Sequence, residues 1–204
     1  MDMAVSRVRD ASTGLVGTLR IGYTKGYERS DLSNTLRAFH MEYPNILSTC
    51  YRCDTDMLAA GLFNNDYDII FTWDSTELMK NEEVECVLVE RSPLMVAVYG
   101  SHPLARRQAI RRRQELRNEK ILFMTPSSNG ESVGDLRFYE KYEAAGYHPN
   151  IIFRSNDAES ILMMIAAEEG VSILPAYVTQ KLVNAENLEF IPLTGEDEGV
   201  EIIS

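Results

Sequence analysis

Short apolar runs of strand length alternate along this chain with segments patterned like amphipathic helices, and this alternation constrains the fold more than any other feature. The first two runs span residues 19–23 and 46–53. Between them, apolar residues recur at spacings of four, three and four, which places them on one helical face: Leu32, Leu36, Phe39 and Tyr43. Ser30 or Asp31 can cap this helix, and Pro44 ends it.

Further strand-length runs follow in the rest of the chain, and one later helix has marked ends. We predict strands at residues 68–73, 84–89, 94–99, 121–124, 151–153 and 171–174. Before the last of these, Asn156 can cap a helix with Glu159 as its capping-box partner, and Gly170 stands where a terminating glycine belongs. Strands alternating with helices of this length favour βαβ units and a mostly parallel sheet.

The loops that follow the predicted strands are the first candidates for a site, because open α/β sheets bind ligands at the carboxyl ends of their strands. Three such loops span residues 24–27, 125–130 and 155–157, and they carry hydroxyl groups, amides and a lysine. Helix N-termini carry partial positive charge, so this arrangement suits a small anion, especially a carboxylate. Any one of these loops could equally be an ordinary cap or turn, so the hypothesis depends on all three occurring together.

Charge and cysteine content exclude several classes of function. The chain has 20 Lys and Arg residues against 31 Asp and Glu, a net charge of −11, which disfavours binding of a nucleic-acid backbone by these residues alone. Three cysteines are an odd count, which argues against a disulfide scaffold and favours a reducing cytoplasm. No apolar run approaches the roughly 20 residues of a membrane helix. Residues 1–11 lack the apolar segment of a secretory signal.

Two local features admit both a functional and a structural interpretation. Cys50 and Cys53 have C-x-x-C spacing, but on a strand they point to opposite faces, which favours structural cysteines over a redox or metal pair. Five arginines between positions 106 and 113 could form a patch that binds an anion or a nucleic acid. Glu115 and Glu119 lie nearby and no aromatic residues interleave, which favours a solvated connection. Since the chain contains no recognised catalytic, metal-binding or phosphate-binding motif, we expect neither an enzyme nor a cofactor.

Four segments carry a resemblance to a known family: Gly17-Thr18-Leu19-Arg20-Ile21-Gly22, Asp68-Ile69-Ile70-Phe71, residues 93–105 with the turn Ser101-His102-Pro103-Leu104, and residues 165–175 ending in Gly170-Val171-Ser172-Ile173-Leu174-Pro175. In this order they resemble the effector-binding domain of LysR-type transcriptional regulators, and the resemblance covers residues 17–204. Glu168 stands where the family's last motif has its first glycine. We expect this departure to affect a helix end more than a site.

The resemblance implies an α/β protein with the two-lobed type-2 periplasmic-binding-protein fold, each lobe a mostly parallel sheet flanked by helices. Lobe one would comprise residues 17–92 with 200–204, without the family's final lobe-one helix, and lobe two residues 93–199. Residues 1–16 would be the remnant of a linker helix. The family's winged helix-turn-helix has no counterpart in these 204 residues, so contact with DNA would need a domain outside them.

The resemblance also implies a ligand and partners. A small effector, often a carboxylate, would bind between the lobes, contacted by Thr24, Lys25, Gly26, Tyr27, Thr55, Trp73, Thr125, Ser127, Ser128 and Asn156. Two copies would pair in antiparallel fashion, with the helix at 31–43 against the helix near 130–145 of the other copy, and the parent protein would be a cytoplasmic tetramer. A free-standing solute-binding protein of the same fold is the alternative, and an enzyme on this fold is a third interpretation.

Overall fold

The computed structural model describes residues 16–73, 78, 81–125, 133–182, 186–195 and 198–204. Its contacts divide the chain into two units. Unit 1 extends to Val89 and includes Ile202–Ser204, and unit 2 is Glu90–Glu201. The chain therefore passes twice from one unit to the other. In the described ranges, no helix has both the length and the apolar character needed to cross a membrane.

The described residues of unit 1 form three parallel strands and two α-helices. In chain order these are β1 (Gly17–Thr24), α1 (Leu32–Glu42), β2 (Ile46–Cys53), α2 (Thr55–Phe63) and β3 (Ile69–Phe71). The sheet order is β2-β1-β3, and both pairings are parallel. The sequence predictions for β1, α1 and β2 are confirmed, whereas the strand predicted at 68–73 is shorter and ends at Phe71. Ile203 joins this unit through two backbone hydrogen bonds with Thr72.

Helix α2 packs closely on β1 because β1 has a glycine at the contact. A Cβ atom at Gly22 would lie 2.7 Å from Cδ2 of Leu58 and 3.0 Å from Cδ2 of Tyr67. Leu58 is fully buried and forms the core of the unit with Ile70 and Leu78. A side chain at position 22 would therefore push α2 off the sheet, and with it the start of α2 that borders the strand ends.

Unit 2 combines a parallel pair of strands with an antiparallel sheet. Its elements are β4 (Leu88–Tyr99), β5 (Lys120–Met124), α3 (Val133–Ala144), β6 (Asn150–Ser155), α4 (Ala158–Ala166), β7 (Ser172–Pro175), β8 (Leu188–Leu193) and β9 (Gly199–Ile203), and the last two residues of β9 belong to unit 1. Strands β5 and β6 are parallel. Strand β4, which starts in unit 1, is antiparallel to β7 and β8 and also pairs with β9.

Two strand predictions in this region are wrong. The runs at 84–89 and 94–99 were expected to be separate strands, but a single strand, β4, begins at Leu88 and continues through Pro93. Strand β8 was not predicted, because Glu189 and Pro192 interrupt its apolar pattern. In both places, strands that are distant in the chain supply the partners for backbone hydrogen bonds. This pairing outweighs the low strand propensity of proline and of charged residues.

The ends of α4 also differ from the sequence prediction. Its N-cap is Asp157 and not Asn156, because an Asp157 Oδ2 atom accepts a hydrogen bond of 3.0 Å from the backbone N–H of Ser160. The left-handed residue after the helix is Glu168, with φ of 65°, and not Gly170. Gly170 is needed for another reason, since a Cβ atom there would lie 2.6 Å from the carbonyl oxygen of Lys120 in β5.

Candidate functional site

A group of polar residues lies where the strands of unit 1 end, and we call Thr24, Lys25, Asp54, Thr55 and Trp73 the strand-end cluster. In the parallel sheet Thr24 pairs with Cys53, and Tyr23 pairs with Phe71. The three carboxyl ends therefore meet at one edge of the sheet. The start of α2 follows β2 directly at this edge.

Lys25 and Asp54 form an ion pair inside this cluster. The Nζ atom of Lys25 lies 2.7 Å from Oδ1 of Asp54, and the two side chains are 27% and 10% exposed. Asp54 is the N-cap residue of α2, yet its carboxylate accepts no capping hydrogen bond from that helix. An aspartate at this position ordinarily accepts from the N–H of the second or third helical residue. The cluster thus presents a positive and a negative group side by side.

Two threonine hydroxyls are buried in the same cluster. Oγ1 of Thr24 accepts a hydrogen bond of 3.1 Å from Nε1 of Trp73, which leaves the hydroxyl proton of Thr24 as a donor. Thr55 is 5% exposed, and its Oγ1 atom has no hydrogen-bond partner in the part of the chain that the structure describes. A buried hydroxyl without a partner carries a desolvation cost that a bound polar group would remove.

The turn after β1 carries the two remaining residues predicted from this side. Gly26 has φ of 90°, a backbone conformation that favours glycine. Tyr27 is buried and its ring stacks on Phe71, with ring centroids 5.7 Å apart and planes inclined by 27°. Glu28 forms an ion pair of 3.2 Å with Arg52 on the exposed side of the turn.

Unit 2 brings together two of the residues predicted from its loops. Thr125 follows β5 and is buried, and its backbone N–H donates a hydrogen bond of 3.0 Å to the carbonyl oxygen of Ser155. Asn156 comes directly after Ser155 and is half-buried. Thr125 and Asn156 are therefore neighbours at the carboxyl edge of the β5–β6 pair. Ser127 and Ser128 lie outside the described residues.

The basic run between 106 and 113 is solvated only in part. Arg106, Arg111 and Arg112 are exposed, and Arg107 forms an exposed ion pair of 3.0 Å with Glu115. The solvated interpretation is wrong for Arg113. This residue is 3% exposed, because its guanidinium pairs with Glu198 and also lies over the rings of Phe138 and Tyr142.

Two of the three cysteines, Cys50 and Cys86, have the opposite of an activated thiol. Cys50 is exposed while Cys53 is half-buried, and its Sγ atom lies 3.1 Å from the hydroxyl oxygen of Tyr67. This hydrogen bond raises the pKa of Tyr67 to about 12, and burial raises the pKa of the thiols of Cys50 and Cys86. A raised thiol pKa disfavours the nucleophilic thiolate. Throughout the described ranges, no three His, Cys, Asp or Glu side chains are grouped to hold a metal ion.

Asp54 is the residue of the cluster that sequence reasoning missed. It is the single residue between β2 and α2, and aspartate at that position is also an ordinary helix cap. Local sequence contains no signal for its ion pair with Lys25, since the two residues are brought together only by the pairing of β1 with β2.

A family model described as the LysR substrate binding domain matches residues 12–202 of this chain. The chain belongs to this family. It is 28% identical over 204 residues to YnfL of Escherichia coli K12, an uncharacterised HTH-type transcriptional regulator, covering 97% of this chain and 64% of YnfL. It is 25% identical over 181 residues to the HTH-type transcriptional regulator BenM of Acinetobacter baylyi, covering 88% of this chain and 57% of BenM. The chain thus spans less than two thirds of the length of these curated relatives.

Solved structures show the same fold, that of LysR effector-binding domains. The BenM effector binding domain with its effector benzoate matches with a TM-score of 0.79 at 24% identity, covering 93% of this chain and 83% of that one. CbnR, a LysR family transcriptional regulator, matches with a TM-score of 0.77 at 23% identity, covering 98% of this chain and 66% of that one. The two-lobed type-2 periplasmic-binding-protein fold expected from the resemblance is confirmed.

Proposed function

We propose that this chain is the effector-sensing domain of a LysR-type transcriptional regulator, a binding module rather than an enzyme. The strand-end cluster carries the proposal, because it gathers buried hydroxyls and a charged pair at the sheet edge where such folds bind ligands. Family membership and the named relatives, which are transcriptional regulators, support it. The BenM domain solved with its effector benzoate is a precedent for a small organic ligand on this fold.

The predicted residues divide into polar contacts and walls. Lys25, Thr24 and Thr55 offer an ammonium and two hydroxyls, and Gly26 shapes the turn that carries Lys25. Tyr27 and Trp73 supply flat apolar surface beside them. We assign further polar contacts to unit 2, namely Thr125, Ser127, Ser128 and Asn156. The implied lobe bounds, 17–92 with 200–204 and 93–199, stay a prediction.

Effector binding must favour one conformation of the parent protein in order to change transcription. A ligand with equal affinity for two conformations would leave their relative populations unchanged. We expect the parent to contact DNA through a domain outside these residues. We also place it in the cytoplasm, since Cys50, Cys53 and Cys86 are all free thiols.

A thermal-shift screen of small metabolites, carboxylates included, tests the proposal directly. A ligand at 100 times its Kd should stabilise the chain by about 2.7 kcal/mol. Calorimetry with the strongest hit should then show weaker binding by Thr55→Val, which removes the unpartnered hydroxyl and keeps the side-chain shape. Thr35→Val is the matched control, because Thr35 is exposed on α1. Equal affinity in both variants would place the site elsewhere, and a screen without any hit would count against sensing.

We further propose that two copies pair through their exposed apolar side chains. In unit 1 Met41 on α1 and Leu47 on β2 are exposed, and in unit 2 Leu136 on α3 and Ile152 on β6 are exposed. Antiparallel pairing of α1 with α3 of a second copy would cover these groups in one symmetric contact. Full-length BenM and CbnR have been solved, and CbnR also in complex with its target DNA.

Sedimentation velocity at tens of micromolar tests the pairing. We expect a dimer for the wild type and a monomer for Met41→Glu or Leu136→Glu. Met163→Glu is the matched control, because Met163 is similarly exposed but lies on α4, a helix that is not part of the proposed pairing. A wild-type chain that sediments only as a monomer, or a control that dissociates as readily, would contradict the pairing.

A further inference from the structure

We infer that the effector carries both an ammonium and an anionic group on one small framework, as an α-amino acid does. This inference rests on the proposed function and names the chemical class of the ligand. The sequence alone favours a small anion, especially a carboxylate, with Lys25 among the residues that contact it. The geometry of the strand-end cluster points to a ligand with two charges, because Lys25 is already paired with Asp54.

The pair makes a plain carboxylate a poor fit. Asp54 is only 10% exposed and lies 2.7 Å from the ammonium of Lys25. A second carboxylate on the same ammonium would stand beside the Asp54 carboxylate in a largely desolvated place, and like charges in such a place repel strongly. A plain amine bound to Asp54 would in the same way be repelled by the ammonium of Lys25. A ligand of zero net charge avoids both costs.

The same pair suits a zwitterion, because each group retains capacity for further hydrogen bonds. An ammonium has three donors, and a carboxylate has about four acceptor positions. Lys25 can therefore hold Asp54 and the ligand's anionic group, while Asp54 holds Lys25 and the ligand's ammonium. The four charges then alternate in sign around a closed ring.

Two further features favour the anionic end of the ligand beside Thr55. The hydroxyl of Thr55 is buried, and no residue in the described ranges is its hydrogen-bond partner, so it is a donor that a ligand can use. Thr55 is also the first residue of α2, a nine-residue helix whose N-terminus has no side-chain cap. Helix N-termini attract negative charge. Asp54 and Thr55 are consecutive residues, so the sites for the ligand's ammonium and for its anionic group are adjacent. An α-amino acid carries these two groups equally close together, on one carbon atom.

The test compares ligands that differ only in charge. The chain is first screened by thermal shift against the L-amino acids. The best hit is then compared by calorimetry with its deaminated carboxylic acid and its carboxamide. We expect both analogues to bind at least tenfold more weakly than the amino acid. Asp54→Asn should weaken binding of the amino acid at least tenfold and should not weaken binding of the deaminated acid. Lys25→Gln should weaken binding of both ligands.

Glu28→Gln is the matched control, since it opens the exposed pair between Glu28 and Arg52 and should leave every affinity unchanged. The melting temperature of each variant without ligand shows that it is folded. A deaminated acid that binds as tightly as the amino acid, and is weakened by Lys25→Gln, overturns the inference and leaves effector sensing intact. A screen in which no amino acid raises the melting temperature also overturns it, while carboxylates in the same plates still test the proposed function.

Discussion

The guanidinium of Arg113 and the carboxylate of Glu198 meet through two hydrogen bonds inside unit 2, although the residues are 85 positions apart. Nε lies 2.7 Å from Oε1, and Nη2 lies 2.8 Å from Oε2. The two side chains are 2% and 9% exposed. The pair ties the 3₁₀ turn at Arg113–Leu116 to Glu198, the residue before β9. Loss of Glu198 would remove this partner from a buried guanidinium, whereas Glu198 also has the ammonium of Lys141 at 3.8 Å.

Glu198→Gln should therefore lower the free energy of unfolding by about 3–5 kcal/mol, the range for breaking a buried pair by removing one charge. Glu201→Gln is the matched control, because the Arg91–Glu201 pair has side chains that are 75% and 53% exposed. The control should change stability by less than about 0.5 kcal/mol. Urea denaturation followed by circular dichroism measures both. If Glu198→Gln changed stability as little as Glu201→Gln, the buried pair would make no contribution to the free energy of unfolding.

Stability should fall at alkaline pH because of Tyr142. Burial raises the pKa of Tyr142 to about 12, above the ordinary value of 10.0. The folded state therefore favours the protonated phenol. The contribution of this phenol to the free energy of unfolding is complete below pH 10 and is lost as the pH rises towards 12. Two pKa units correspond to about 3 kcal/mol. The free energy of unfolding, measured from pH 8 to 12, should fall less steeply for Tyr142→Phe than for the wild type. Identical slopes in the two proteins would contradict the expectation.

Asp157 and Asn156 should separate helix capping from ligand binding. Asp157→Ala removes the carboxylate that accepts from the N–H and hydroxyl of Ser160, so it should cost about 1 kcal/mol of stability. Asn156→Ala should cost clearly less, since Asn156 does not cap α4, but it should weaken effector binding. Thermal melts and calorimetry on the two variants measure these effects. A larger loss of stability for Asn156→Ala would reverse the capping assignment.

Glu168 should respond to substitution through its backbone. Its φ of 65° is costly for any residue with a Cβ atom, by roughly 1 kcal/mol. Glu168→Gly and Glu168→Ala both lose the hydrogen bond of 3.2 Å from Ser101, but only glycine relieves the backbone. The glycine variant should therefore be more stable than the alanine variant by about 1 kcal/mol in denaturant unfolding. Equal stabilities would mean that this helix end is not strained.

Local patterns predicted most of unit 1, because α1 follows a clear apolar period and β1 and β2 are runs of strand length on either side of it. The prediction was less accurate where partners are distant. The continuation of β4 through Pro93 and the pairing of β8 with β4 depend on strands far away in the chain. The neighbours Asn156 and Asp157 have nearly equal capping propensity, so only the hydrogen bond to Ser160 identifies the cap of α4.

The pattern of strands and helices located part of the polar edge of the unit 1 sheet, because the residues after parallel strands lie at their carboxyl ends, but it missed Asp54. Thr24 and Lys25 were found in this way. Tertiary structure alone decided what those groups do to one another. Pairing of β1 with β2 brings Lys25 to Asp54, and folding of unit 2 buries Arg113 against Glu198. Charge is a property of single residues, but its energetic effect depends on the distance to its partner and on exposure to water, which only the folded chain sets.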